Sequence, residues 1–224
     1  MKRVESIFEI IGPIMVGPSS SHTAGAVRIG KIAREILGSR PVKATILFHG
    51  SFAETYRGHG SDKAVVGGIL GFSTDDLRIR EALEIAEKEG LKIEFKTVDL
   101  GEEYHPNTIK IVLEDPTGLK VWIVGSSIGG GNIIVTEVNG FEADISGDYH
   151  ALITIHEDKP GMVAKITAIL AKYGINIARM KVSRVKRGAL AFSSIEVDQE
   201  IPLEVVHEVE KVEGVKLVRA LKPI

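Results

Sequence analysis

The 224-residue chain contains no cysteine. It can form no disulfide, as expected of a protein from a reducing compartment, and it has no thiolate to lend to zinc or to an iron–sulfur cluster. Glutamine occurs once, at Gln199, beside plentiful Lys and Glu, a composition that leans toward a thermophilic source. No apolar run reaches membrane-spanning length. No basic block is present and the formal net charge is −2, which removes a general electrostatic case for nucleic acid. The N-terminal Ile7, Phe8, Ile10 and Ile11 imitate a signal peptide, but Glu5 and Glu9 interrupt them and Gly12-Pro13 ends the run early. A cytoplasmic protein with no membrane contact is expected.

What the chain does have is a concentrated polar run, Gly17-Pro18-Ser19-Ser20-Ser21-His22-Thr23-Ala24-Gly25. Behind it Val27, Ile29, Ile32, Ala33, Ile36 and Leu37 recur at helical spacing, and Gly38 stands where a helix ends. The run therefore falls at a helix N-terminus, where unpaired N–H groups and the positive dipole end favour an anion. One Ser or Thr there would be a cap. Four donor side chains, Ser20, Ser21, His22 and Thr23, exceed what capping needs and point to a pocket for a small carboxylate or phosphate.

Along the chain, 42–48 reads as a strand that empties into a polar loop over 49–62. Ser61 can cap a second helix through Leu70, and Thr74 a third that Gly90 ends. Ile93, Phe95 and Thr97 alternate as a strand. Strands at 108–114 and 119–124 flank the turn Asp115-Pro116-Thr117-Gly118, and strands at 133–138 and 141–146 flank Asn139-Gly140. Helices early and hairpins late predict an α+β domain over 1–147, not a doubly wound parallel sheet.

After a seam at Gly147-Asp148 the pattern restarts. Strand 149–155, helix 160–173, strands 175–186 and 190–197, helix 202–212 and strand 215–221 form the ferredoxin-like βαββαβ order. With its Asp158-Lys159-Pro160-Gly161 loop and Gly174-Ile175-Asn176 turn, the segment 148–224 resembles an ACT domain. That resemblance implies pairing of two copies, with an amino-acid effector contacted by Asp158, Gly161 and Asn176. A purely structural dimerisation module is the alternative.

Three further polar clusters break the globular pattern of the first domain. Gly58-His59-Gly60-Ser61-Asp62 sets an imidazole between glycines at a helix start. His105-Pro106-Asn107-Thr108 precedes a strand. Gly125-Ser126-Ser127-Ile128-Gly129-Gly130-Gly131-Asn132 joins two strands, as a flexible connection or an anion nest. It lacks the Lys-Ser/Thr and following helix of a nucleotide phosphate loop. Alone, each has a bland reading as a turn; four together favour one shared site.

Together with His49-Gly50-Ser51-Phe52-Ala53-Glu54-Thr55, these motifs resemble the β subunit of iron–sulfur-dependent L-serine dehydratase along nearly the whole first domain. Ala26 stands where single-chain relatives usually carry proline, in keeping with a separate β chain. The resemblance implies deamination of L-serine to pyruvate and ammonia. It also implies a partner α subunit whose cysteines hold a 4Fe–4S cluster with one iron acting as Lewis acid. Ser20, Ser21 and Thr23 would grip the serine carboxylate, with His22 near the reacting centre as acid–base or as hydrogen-bond donor. His59, Gly60, Ser61, His105, Asn107, Gly129 and Gly130 would wall the substrate. Two other readings stand beside this one. Similar α+β domains serve as allosteric anion-binding units in some D-3-phosphoglycerate dehydrogenases, which would make the chain a sensor. A bare assembly subunit would shape the α chain's site without entering it.

Overall fold

The computed structural model describes residues 13–224, so the signal-like stretch before Pro13 lies outside the described residues. No described helix is long and apolar enough to cross a membrane. The chain divides into two compact units, with the boundary after Ile134.

In the first unit, a π-helical turn at Ser20–Ala24 runs directly into α1, Gly25–Leu37. The expected stripe is buried, and Gly38 closes α1 at φ 76°, its N–H donating to the Arg34 carbonyl. Strand β1 (Lys43–Phe48) turns Ala44, Ile46 and Phe48 into the core. Helix α2 (Gly50–Thr55) follows at once, where a loop was expected. The stretch is polar at Ser51, Glu54 and Thr55, so six residues show no apolar period; Phe52 alone anchors it inward.

Helix α3 (Ser61–Leu70) packs against α1 with no side chain between the backbones at two points. A Cβ on Gly30 would strike the Val65 carbonyl oxygen, and one on Gly68 would strike that of Val27. Ser61 does not cap α3. Gly60, left-handed at φ 70°, occupies the cap position and Ser61 is the first helical residue. Nor does Thr74 cap the next helix: its hydroxyl donates to the Ile14 carbonyl, 2.8 Å. Asp76 instead caps a 3-10 turn at Leu77–Glu81, and α4 (Ala82–Lys88) follows.

Strands β2 (Lys92–Thr97), β3 (Thr108–Glu114) and β4 (Lys120–Gly129) complete the sheet of this unit, in order β2-β1-β3-β4. β1 pairs with β2 in parallel through the crossover carrying α2 to α4, and with β3 antiparallel. The β3–β4 turn is the expected one: Asp115 Oδ1 accepts from the N–H groups of Thr117 and Leu119 at 2.8 and 3.0 Å.

The second unit carries the hairpin partner strand β6 (Phe141–Ile145), turned from β5 (Asn132–Val138) by Asn139-Gly140 at φ 50° and 84°. Strands β7 (His150–Glu157), β8 (Ile177–Arg184), β9 (Leu190–Val197) and β10 (Val215–Leu221) form an antiparallel sheet in order β10-β7-β9-β8. Helices α5 (Met162–Lys172) and α6 (Leu203–Glu210) bury Ile166, Leu170, Val205 and Val209 against Leu152, Ile195 and Val218 on one face. Strand β6 packs on the other face. Phe141 stacks on Phe192, and the buried carboxylate of Glu196 accepts from Ser146 N and Oγ, both 2.9 Å, and meets Arg179 Nε at 3.1 Å. That packing is why β6 belongs with this unit although it precedes Gly147.

Candidate functional site

The π-turn is built on Ser19. Its extended backbone (φ −137°, ψ 124°) lets Oγ accept the His22 N–H at 3.1 Å, while its carbonyl accepts the Thr23 N–H. The turn then widens by one residue, with Gly25 N–H bonded to the Ser20 carbonyl. His22 projects from it into a set of aromatic and hydroxyl groups. Its Nδ1 lies 3.4 Å from Ser19 Oγ and its Nε2 3.4 Å from Ser51 Oγ. Phe52 meets the ring edge-on at 4.9 Å, and His59 lies tilted against it at 4.8 Å between centroids. Burial, and then the neighbouring His59, push the His22 pKa below its ordinary value. His22 is therefore a neutral imidazole at neutral pH.

Each neighbour has a backbone reason to be there. Gly50, at φ 55°, opens α2 where a Cβ would collide with the backbone of Pro106, so the 105–107 segment packs directly on α2. Phe52 N–H reaches the Pro106 carbonyl, and His49 N–H donates to that of Thr108 at 3.0 Å. The close α1–α3 crossing holds His59-Gly60-Ser61 beside the π-turn. Gly25 has no room for a Cβ because Ser127 of β4 fills the space, and Ser127 N–H donates to the Asn107 carbonyl at 2.9 Å. The three glycines 129–131, all at positive φ, turn β4 into β5; Arg28 Nη1 bonds the Gly131 carbonyl at 2.9 Å, and Gly131 lies against Ala24.

The four sequence clusters thus gather around the start of α1, but not all named residues stand equally. Ser20, Ser21, His22, His59 and Gly60 are half-buried around the turn. Thr23 and Ser61 are buried, with hydroxyls that have no partner among the described residues, so neither offers itself on the open surface. Asn107 joins through its backbone. His105 is exposed and its Nδ1 is occupied by the Asn107 N–H, 3.0 Å. Of the glycine turn, Gly131 is the residue that lies against Ala24 at the start of α1, next in the chain to Gly129 and Gly130. Ser19, Ser51, Phe52 and Ser127 were not singled out by the sequence reading, although all four lie inside its motifs. A shallow cavity of about 600 Å³ between α4 and β2, lined by Leu83, Glu87, Leu91, Ile93 and Phe95, shares no residue with this cluster.

In the second unit, Asp158 is engaged by its own chain. Its Oδ2 accepts from Gly188 N–H at 3.0 Å and Arg184 Nη1 at 2.9 Å, contacts that hold its carboxyl below the usual range. Gly161 (φ 87°) starts α5, whereas Asn176 lies past its far end and donates to Asp198 at 2.6 Å. Eleven helical residues separate them, about 16 Å along the axis. A single copy does not bring the three together around one small ligand.

Comparison with known proteins gives the family. The serine dehydratase beta chain model matches residues 6–138 and the ACT domain model residues 150–214. The chain is 48% identical to a probable L-serine dehydratase beta chain of Bacillus subtilis, covering 95% of this chain and 96% of the relative. It is 40% identical to the L-serine dehydratase beta chain of Peptoniphilus asaccharolyticus, covering 87% of each. A D-3-phosphoglycerate dehydrogenase of Synechocystis is 26% identical over 85% of this chain and 34% of the relative. Among solved structures, the ACT domain of a GTP pyrophosphokinase from Chlorobium tepidum covers 33% of this chain at 26% identity, with a TM-score of 0.26. The family models and the two beta-chain relatives agree: the chain belongs to the serine dehydratase beta chain family and carries an ACT domain over residues 150–214.

Proposed function

We propose that the chain is the β subunit of a two-chain L-serine dehydratase that deaminates L-serine to pyruvate and ammonia. The observation that carries this reading is the convergence on His22: a serine-rich helix start, a second imidazole and two hydroxyls within contact of one neutral ring, in a chain 48% identical to such a subunit. The 4Fe–4S cluster of the family does not fit this chain. It has no cysteine, and the described residues assemble no group of three His, Asp or Glu able to hold a metal. Ligation of the cluster falls to the α subunit.

The chemistry left to this chain is binding and proton control. Ser20 and Ser21, at the head of the π-turn, supply O–H donors for the substrate carboxylate where the helix dipole already favours negative charge. His22 lies beside them, either to move a proton or to donate a hydrogen bond. His59 and Asn107 form polar walls. Thr23 and Ser61 are buried beneath the turn and leave the carboxylate to Ser20 and Ser21, and the glycine turn at 129–131 fixes the junction with α1. Asp158, Gly161 and Asn176 serve the ACT domain, where an effector contacting both ends of α5 requires a second copy of the domain.

The test is reconstitution. The chain alone should not turn over serine, and the complex with a cysteine-bearing α chain and its cluster should. His22→Ala should abolish turnover while leaving the subunits assembled; near-normal kcat in that mutant complex refutes the site. The 26% identity to D-3-phosphoglycerate dehydrogenase over most of the chain favours one competing reading, an allosteric sensor. Calorimetric binding of an amino acid or phosphoester to the chain, with no serine turnover by the complex, would select it.

A further inference from the structure

His22 meets a hydroxyl at each ring nitrogen, and the backbone bond that Ser19 already accepts biases where the ring proton sits, because an oxygen that accepts one hydrogen bond becomes the better donor. Ser19 Oγ already accepts the His22 backbone N–H at 3.1 Å, and its own hydrogen remains to be placed. Nδ1 of the same residue stands 3.4 Å away to take it. A hydrogen on Nδ1 would instead point two donors at one oxygen and leave the Ser19 proton facing away from the ring. With Nδ1 as acceptor, the neutral ring carries its hydrogen on Nε2, directed toward Ser51 Oγ at 3.4 Å. Both contacts are long, so a substrate oxygen entering beside Ser51 meets little competition for that N–H.

We propose that Ser19 is a positioning residue that holds His22 as the Nε2–H tautomer, so that His22 faces the substrate as a neutral hydrogen-bond donor and not as the base that takes the α-proton. This rests on the dehydratase reading and decides between the two roles left open for His22. The rest of the site agrees. Phe52 and His59 pack on the ring and hold it against rotation about Cβ–Cγ, and the π-turn sets the Ser19–His22 spacing that lets one hydroxyl serve both the backbone N–H and the ring. The acceptor for Nε2–H is then a carboxylate or hydroxyl oxygen of a small hydroxy amino acid.

The experiment reads the tautomer directly. Long-range ¹⁵N–¹H spectra of the full-length chain with labelled histidine, at a pH where the ring is neutral, should show His22 protonated on Nε2. Ser19→Asp keeps an oxygen to cap the π-turn but has no proton to give, so the ring should switch to Nδ1–H. Ser19→Thr keeps the hydroxyl and should retain Nε2–H. In the reconstituted α–β complex, kcat should fall about 100-fold in Ser19→Asp, the lower range for losing a hydrogen-bond donor aimed at developing negative charge, in addition to any rise in KM from a carboxylate placed beside Ser20 and Ser21. Ser19→Thr should restore most of it. A wild-type ring protonated on Nδ1, or an Asp variant that leaves Nε2–H in place, overturns the inference. So does a switched tautomer with unchanged kcat. A complex that never turns over serine removes the dehydratase reading and leaves the tautomer result to stand on its own.

Discussion

The crossing of α1 on α3 fixes the distance between His22 and His59, and Gly68→Ala tests it. The added Cβ would overlap the Val27 carbonyl oxygen and lie 2.9 Å from Lys31 N, both backbone atoms of α1 that no rotamer change can move aside. Overpacking a core costs about 1–3 kcal/mol, while Ala for Gly in a helix interior returns about 0.5–1 kcal/mol. With backbone on both sides the upper part of that range applies, and the net loss is about 2 kcal/mol. For a chain of this size that lowers Tm by about 4–8 °C. The two helices can relieve the overlap only by separating, which draws His22 away from His59; a displacement of about 1 Å costs on the order of 100-fold in rate. Gly67→Ala is the control on the same helix, because its Cβ meets the Ile79 side chain at 3.1 Å, that of Phe72 at 3.5 Å and the Ile79 Cα at an ordinary 3.8 Å. Calorimetry and serine turnover by the complex should therefore separate the two variants. If Gly68→Ala melts with Gly67→Ala, the helices do not meet as described. If it melts early but keeps full activity, their spacing does not set the site.

Further outcomes follow from single groups. The His22 pKa is lowered in the folded chain by burial and by His59, so below the ordinary value of 6.5 the unfolded chain binds the extra proton first. Wild-type stability should fall relative to His22→Gln as pH drops from about 7.5 to 5.5 in urea titrations; parallel profiles would contradict a half-buried ring kept neutral by the fold. Glu196→Ala strands the Ser146 N–H and should cost about 2 kcal/mol, whereas Glu196→Gln keeps an oxygen for both Ser146 bonds and should cost less. Equal unfolding midpoints for the two would show that the Ser146 bonds contribute nothing. Cutting the chain after Gly147 should bare Phe141 and raise dye binding and aggregation, since Phe192 covers that ring; a well-behaved fragment would mean that β6 does not depend on the ACT sheet.

Much of this was legible in the sequence because the residues concerned answer to local rules. The period of α1, the turns at Asp115 and Asn139-Gly140, and the βαββαβ order all express backbone preferences of neighbouring residues, and each stands where expected. What escaped is non-local. Helix α2 has one apolar anchor in six residues, and it forms because Gly50 lets Pro106 pack on its first turn. Ser61 carries the residue type of a cap, yet the left-handed Gly60 takes that position and the hydroxyl is buried. The parallel β1–β2 pair depends on a crossover of more than forty residues, which no local pattern encodes.

The site itself shows the limit most plainly. The polar run reads as an over-supplied helix cap, and an ordinary α-helical start would set residues 20–24 on the 3.6-residue period of α1. The π-turn inserts one residue of extra rotation between Ser19 and Gly25, and that slip decides which side chains face α2 and α3. His22 meets Ser51, Phe52 and His59, while Thr23, one residue on, is buried against Gly17, whose missing Cβ makes the room. Two adjacent residues of one motif thus take opposite parts, an imidazole toward the cluster and a hydroxyl beneath it. Spacing in the sequence could nominate both, and only the slip between two helical periods assigns them.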